Sequence, residues 1–252
     1  MQKNWCSLIQ PKRIEIDEST RTCFYGEVTC QPLERGFGIT LGNALRRVLL
    51  SSIPGAAIVS VKIDGVLHEF STIPGVKEDV TDIILNLKGV RLKLIHDGEP
   101  RIIRINTSKE GVITAGDVIT DGTVEILNPG HYIATVSDGG ASFNAEMLVK
   151  VGKGYVSAPK ESIDQQTEGT IPIDAVFSPI RKVSYTVTHA RVGQVADYDR
   201  LILEVWTDGS IQPESAVTYA AKILKEQLDV FLNFGEAEEE EEQKIDEKEE
   251  LN

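Results

Sequence analysis

The sequence predicts an α+β fold, and three observations carry that expectation. The periodic segments run strands, helix, many strands, helix, without the regular strand-helix alternation of a parallel α/β sheet. Most of the short segments alternate apolar and polar residues and are joined by Asp-Gly, Pro-Gly and Gly-Gly pairs, the turn chemistry of antiparallel neighbours. With 252 residues, 41% of them apolar, the chain can bury a large core, yet no window approaches the run of about 20 apolar residues that spans a membrane.

Taken in order, "EVTCQPL" reads as a strand, and "ERGFGITLGNALRRVLLSSIPG" as a glycine-rich entry to a helix over 41–52. Leu41, Ala44, Leu45, Val48 and Leu49 share its apolar face, and Pro54-Gly55 halts it. "AIVSVKIDGVLHEF" alternates on both sides of Asp64-Gly65 and predicts a hairpin about that pair. In "EDVTDIILNLKG", Val80, Ile83, Ile84 and Leu87 fall on one helical face that ends at Gly89. Short strands follow in "VRLKLIHDGEPRIIRI", "GTVEIL", "HYIATVSDGG" and "FNAEMLVKVGKG", and a longer pair in "KVSYTVTHARV" and "DRLILEVWTDGS".

The last helix lies in "SIQPESAVTYAAKILKEQLDVFLNFG", with Pro213 and Glu214 suited to its first turn and Gly235 to its stop. Val217, Ala220, Ala221, Leu224, Leu228, Phe231 and Leu232 form one apolar stripe, and Ala216, Tyr219, Ile223, Val230 and Phe234 a second beside it. Together they cover about 220°, where a helix lying on its own domain needs roughly 100°. A helix at the centre of a core satisfies such an arc. So does one that packs one stripe at home and buries the other against a partner, which is the preferred arrangement.

Of the net charge of −13, −8 lies in "EAEEEEEQKIDEKEE" at 236–250, a run expected to be a disordered linker or tail with a further domain suspected beyond it. The remainder is only mildly acidic, so no direct nucleic-acid binding is expected: phosphate contacts need clustered Lys and Arg. The opening "MQKNWCSLIQPKRIEI" has neither an apolar h-region nor a small-residue cleavage site, which points to the cytoplasm and to no membrane attachment. Cys6, Cys23 and Cys30 form no CxxC pair and are expected as reduced, buried thiols. His68, His96, His131 and His189 lie far apart, and GxSxG and HExxH are absent, so no catalytic residue, cofactor or metal is expected.

Gly36, Gly38 and Gly42 raise a dinucleotide-binding alternative, because Asp64 follows Gly42 by 22 residues, near where a ribose-binding acid should sit. The spacing is GxGxxxG, however, Pro32 interrupts the preceding strand, and no further β-α-β units follow. The back of the helix is more informative: Asn43, Arg46, Arg47 and Leu50 fall within about 100°. Arginines around an apolar anchor suit a protein-binding hot spot; solvated arginines beside a stray leucine are the plainer account.

"PLERGFGITLGNALRRVLLSSIPG", "IDGVLHEFSTIPGVKEDVTDIILNLKGV", "VGKGYVSA", "VFSPIRKVSYTV" and "ARVGQVADYDRLILEVWTDGSIQPESA", in that order, closely resemble the N-terminal assembly domain of bacterial RNA polymerase alpha subunits. The resemblance covers about Lys12 to Gly235 and implies two subdomains. Residues 1–54 with 178–235 would form a dimerisation subdomain of two long helices on an antiparallel sheet; 55–177 would be an inserted β-rich subdomain, and 236–252 the linker or tail. It implies a homodimer on which the catalytic beta and beta-prime subunits assemble, with no catalytic residue in this chain.

By the same resemblance, Arg46, Arg47 and Leu50 contact beta. Lys88, Phe177, Ser178, Pro179, Ile180 and Arg181 contact the large subunits, beta-prime above all. Phe37, Leu41, Val48, Leu224, Leu228 and Phe231 form the dimer interface. Transcription activators are a further partner class, although "ESIDQQTEGTIPID" has interrupted acids where some relatives carry a denser patch. The alternative function is a dimeric, non-enzymatic binding module with another partner.

Overall fold

In a computed structural model of the chain, the described residues are 9, 11, 14–95, 98–138, 140–158, 169–192 and 195–232. Cys6, His96, Phe234, Gly235, the acidic run at 236–250 and most of "ESIDQQTEGTIPID" lie outside them. The order is β1 (Ile14–Ile16), β2 (Tyr25–Leu33), α1 (Phe37–Ser52), β3 (Pro54–Ile63), α2 (Val80–Lys88), β4 (Leu92–Leu94), β5 (Arg101–Thr107), β6 (Gly111–Thr114), β7 (Val124–Ile126), β8 (Tyr132–Val136), β9 (Phe143–Lys153), β10 (Tyr155–Val156), β11 (Thr170–Pro172), β12 (Ala175–Val176), β13 (Ile180–Val192), β14 (Val195–Thr207) and α3 (Pro213–Leu232). The α+β class stands.

Two sheets dominate. The first has four antiparallel strands in the order β1-β2-β14-β13. Its two halves come from distant sequence: β2 lies beside β14, and Tyr25 faces Trp206 across the ladder. The second runs β5-β9-β3-β4-β7, with β11 also pairing β3. β3 is its spine: β9 lies along one edge, while β4 at Ala56 and β11 at Ser60–Lys62 share the other.

Each sheet has its own apolar cluster. Residues between Ile58 and Ile173 form the larger, in which Val80, Ile83 and Leu87 of α2 join Val61, Ile103 and Met147 of the sheet. The smaller joins Val28, Leu49, Ile53, Ile180, Val183, Leu203, Val205, Ala216, Val217 and Ala220. α1 and α3 thus cover one face of the four-stranded sheet, and burying a side chain such as Leu49 contributes roughly 2–3 kcal/mol.

Helix α2 follows the sequence expectation closely. Asp79 caps its start by accepting from the Asp82 amide at 2.7 Å, and Gly89 closes its end by donating to the Asn86 carbonyl at 2.9 Å. The hairpin expected at Asp64-Gly65 does not form. A type I′ turn needs positive φ at both central residues, and only Gly65 has it (φ 78°). A turn closes from Val66 N–H to Ile63 C=O at 3.1 Å, and the chain then leaves the sheet, with Leu67 and Phe70 exposed. β3 pairs instead with strands far along the chain.

The dinucleotide pattern also dissolves. β2 and β3 belong to different sheets, and the Asp64 carboxylate accepts from Asn144 Nδ2 at 3.2 Å. Pro32 lies in β2 between the Cys30–Leu201 and Leu33–Asp199 pairs, where the register slips, which is where a strand tolerates a residue without an N–H.

Candidate functional site

The glycine-rich entry explains how α1 is held. Gly36 occupies the N-cap in the left-handed region, at φ 91°, and offers no capping side chain. The acceptor comes from β14: Asp199 Oδ2 receives the N–H of Gly36 at 2.8 Å and of Gly38 at 3.1 Å. A Cβ on Gly38 would come within 2.8 Å of Val187, and one on Gly42 within 2.7 Å of Tyr185. These two glycines therefore let the helix lie directly on β13 and β14. The helix begins at Phe37, a full turn before the expected position 41, because Asp199 satisfies amides that local sequence leaves orphaned. Asp199 is the residue that reading the sequence missed. A lone acid in a distant strand carries no local signal of capping.

Arg46, Arg47 and Leu50 lie on the far side of α1, all exposed. Neither guanidinium has an ion-pair partner among the described residues. The last turn is tied down by Ser51 Oγ, which donates to the Arg47 carbonyl at 2.8 Å. The ridge is thus a rigid backbone carrying two uncommitted forks around an apolar tip.

The second set of expected contact residues divides. Lys88, Ser178 and Arg181 line one cleft of about 110 Å³, together with Arg91, Asp174 and Asp208. Lys88 pairs with Asp174, which also accepts from the Tyr155 hydroxyl at 3.3 Å. That hydrogen bond from Lys88 holds the Asp174 carboxyl below its ordinary range. Phe177, Pro179 and Ile180 are instead buried within the chain. The Phe177 ring lies where a Cβ on Gly152 would be, within 2.7 Å, and Ile180 belongs to the smaller core cluster. These three do not line the cleft.

The apolar residues of the two long helices also separate. Leu41, Val48 and Leu224 are half-buried, whereas Phe37, Leu228 and Phe231 are exposed, Phe231 by 75%. The two stripes expected around α3 are sorted along its axis instead. Ala216, Val217 and Ala220 are buried at its start, while Leu228, Val230 and Phe231 stand clear near its end. The reason is length: at 1.5 Å per residue, 20 residues outrun the sheet they start on. Tyr219, from the second expected stripe, is exposed as well, and so is Ile39, which precedes the helix start expected from the sequence.

Among the described residues no cluster of His, Cys, Asp and Glu could hold a metal ion, and no helix is long and apolar enough to cross a membrane, which leaves β-barrels aside. Cys23 and Cys30 are free thiols, with Cys23 exposed and the Cys30 thiol pushed up by burial.

Comparison with known proteins accords with this geometry. Residues 61–178 match the family described as the RNA polymerase Rpb3/RpoA insert domain. The chain is 71% identical over 259 residues to the DNA-directed RNA polymerase subunit alpha of Syntrophus aciditrophicus, covering 100% of this chain and 74% of that protein. It is 59% identical to the subunit of the same name from Geobacter metallireducens, covering 94% of this chain and 69% of the relative. For Moorella thermoacetica the identity is 63%, over 84% of this chain and 67% of the relative. Sequence, insert and framework agree, and the chain belongs to the family of DNA-directed RNA polymerase alpha subunits.

Proposed function

We propose that this alpha subunit acts as a cytoplasmic homodimeric scaffold: α1 and α3 bind a second copy, the Arg46–Arg47–Leu50 ridge receives beta, and the cleft at Lys88, Ser178 and Arg181 meets beta-prime. In this reading the chain divides into 1–54 with 178–235 as the dimerisation subdomain and 55–177 as the inserted one. The two separate apolar clusters support that division. The observation that carries the proposal is the uncovered end of α3, where Leu228, Val230 and Phe231 stand in water on a well-formed helix. Three such side chains in one helical end mark a contact surface, since exposed apolar residues on a monomer are ordinarily scattered. Phe37 and Ile39, exposed at the start of α1, extend the same character to the neighbouring helix.

A homodimer presents every surface twice, so the two large subunits must engage different copies, and asymmetry enters with them. The chemistry of RNA synthesis is left to those partners; this chain contributes placement. Light scattering on the purified chain is expected to give the mass of a dimer at micromolar concentration. Co-expression with the two large subunits should then recover all three together. A monomer that captures neither subunit refutes the scaffold.

A further inference from the structure

Asp199 is the only buried charged residue among the described residues, at 8% exposure, and it lies at the point where β14 slips register against β2. A carboxylate withdrawn from water requires compensation. Here it comes from the Gly36 and Gly38 amides and from the positive end of α1. The tie is long-range, across 163 residues for Gly36, so it joins two elements and does more than tidy one turn. It also fills the anion-binding capacity of the glycine-rich entry with the protein's own carboxylate.

Three constraints then act on one helix. The carboxylate sets its position along the axis. Gly38 and Gly42, with no room for a Cβ, set its depth and rotation against Val187, Tyr185 and Leu201. Arg47 follows Gly38 by nine residues, about two and a half turns, and so points directly away from the sheet. A roll of α1 moves that guanidinium at full radius, and a slide carries it along the axis.

We infer that Asp199 is the positioning residue of the beta-docking ridge: by gripping the amides of Gly36 and Gly38 it fixes where Arg46, Arg47 and Leu50 stand. The inference rests on the reading of that ridge as the beta contact. Asp199 itself touches no partner.

The test uses the full chain as a dimer and measures two quantities, hydrogen exchange at residues 36–40 and affinity for beta. Asp199→Ala is expected to speed exchange of the Gly36 and Gly38 amides and weaken beta capture, each about tenfold, the scale of a lost cap. Asp199→Asn, which keeps an acceptor oxygen without the charge, should recover most of both. Ile103→Val, buried in the larger cluster, which shares no buried member with the one beneath α1, serves as a control of similar lost stability and is expected to leave beta capture intact.

Unchanged exchange at Gly36 and Gly38 in Asp199→Ala overturns the inference, as does a loss of capture no greater than that of Ile103→Val. If Asp199→Ala yields no dimer, Asp199→Asn is judged by the same two measurements against the same control, with about threefold effects expected. Arg47→Ala in the same assay separates the two layers. Capture unchanged there sinks the ridge itself and the inference with it. Capture lost there but kept in Asp199→Ala overturns the positioning role alone.

Discussion

Arg47 combines exposure, no ion pair among the described residues and a rigid helical base, the conditions in which a guanidinium can be desolvated against a partner. Arg47→Ala should therefore leave the dimer intact and weaken beta binding by about 2–4 kcal/mol, read by titration of beta onto the purified dimer. Unchanged affinity would remove Arg47 from the interface. Lys88 differs, since it is already committed to Asp174. Because the folded-state carboxyl lies below its ordinary 3.8, the pair's contribution is complete above that pH and is lost as the pH falls through the lower folded value. Both groups are partly exposed, so screening keeps the contribution small. An NMR titration of Asp174 should give a midpoint below 3.8 in the parent and a return toward 3.8 in Lys88→Met. Coincident midpoints would show that the pair does not hold in solution.

At the level of elements, α3 serves two masters along its length, the sheet at its start and an uncovered end beyond. Leu228→Glu or Phe231→Glu should give folded monomers by light scattering, because a charge would be driven into an apolar contact while the buried Ala216, Val217 and Ala220 remain untouched. A dimer of unchanged affinity would place the interface elsewhere. The elements most legible in the sequence were those specified locally. Helix α2 carries its cap, its periodic face and its closing glycine within eleven residues, Asp79 to Gly89. β13 and β14 were readable because each alternates over a long run. The failures share a cause in distance. β3 reads as half of a hairpin, yet apart from one pair with β4 at Ala56 its partners are β9 and β11, and no local pattern announces a strand 80 or more residues away. β1, β6, β10, β11 and β12, at two to four residues each, are too short to show a period. For the site, the ridge of α1 could be seen from helical spacing alone, whereas burial of Phe177 and Pro179 depends on close packing by Gly55 and Gly152, and that of Ile180 on the smaller apolar cluster, which only the folded chain displays.

Across the whole molecule, the two apolar clusters share no buried member, so damage to one should be felt weakly in the other. Met147→Ala, at the centre of the larger cluster, is expected to cost about 2–5 kcal/mol and to raise amide exchange through α2, β3 and β9 well before α1 and β14. Uniform acceleration everywhere would mean a single cooperative unit. Between the clusters the chain passes twice, at Gly55 and at Phe177, and these crossings run side by side: the Phe177 carbonyl occupies the place a Cβ on Gly55 would take. On the proposed division, neighbouring points of departure and return make the intervening 55–177 resemble a page held in a ring binder. Such a page can be exchanged for a longer or shorter one, provided the two punched holes keep their spacing, and the covers formed by α1, α3 and their sheet need not be rebound.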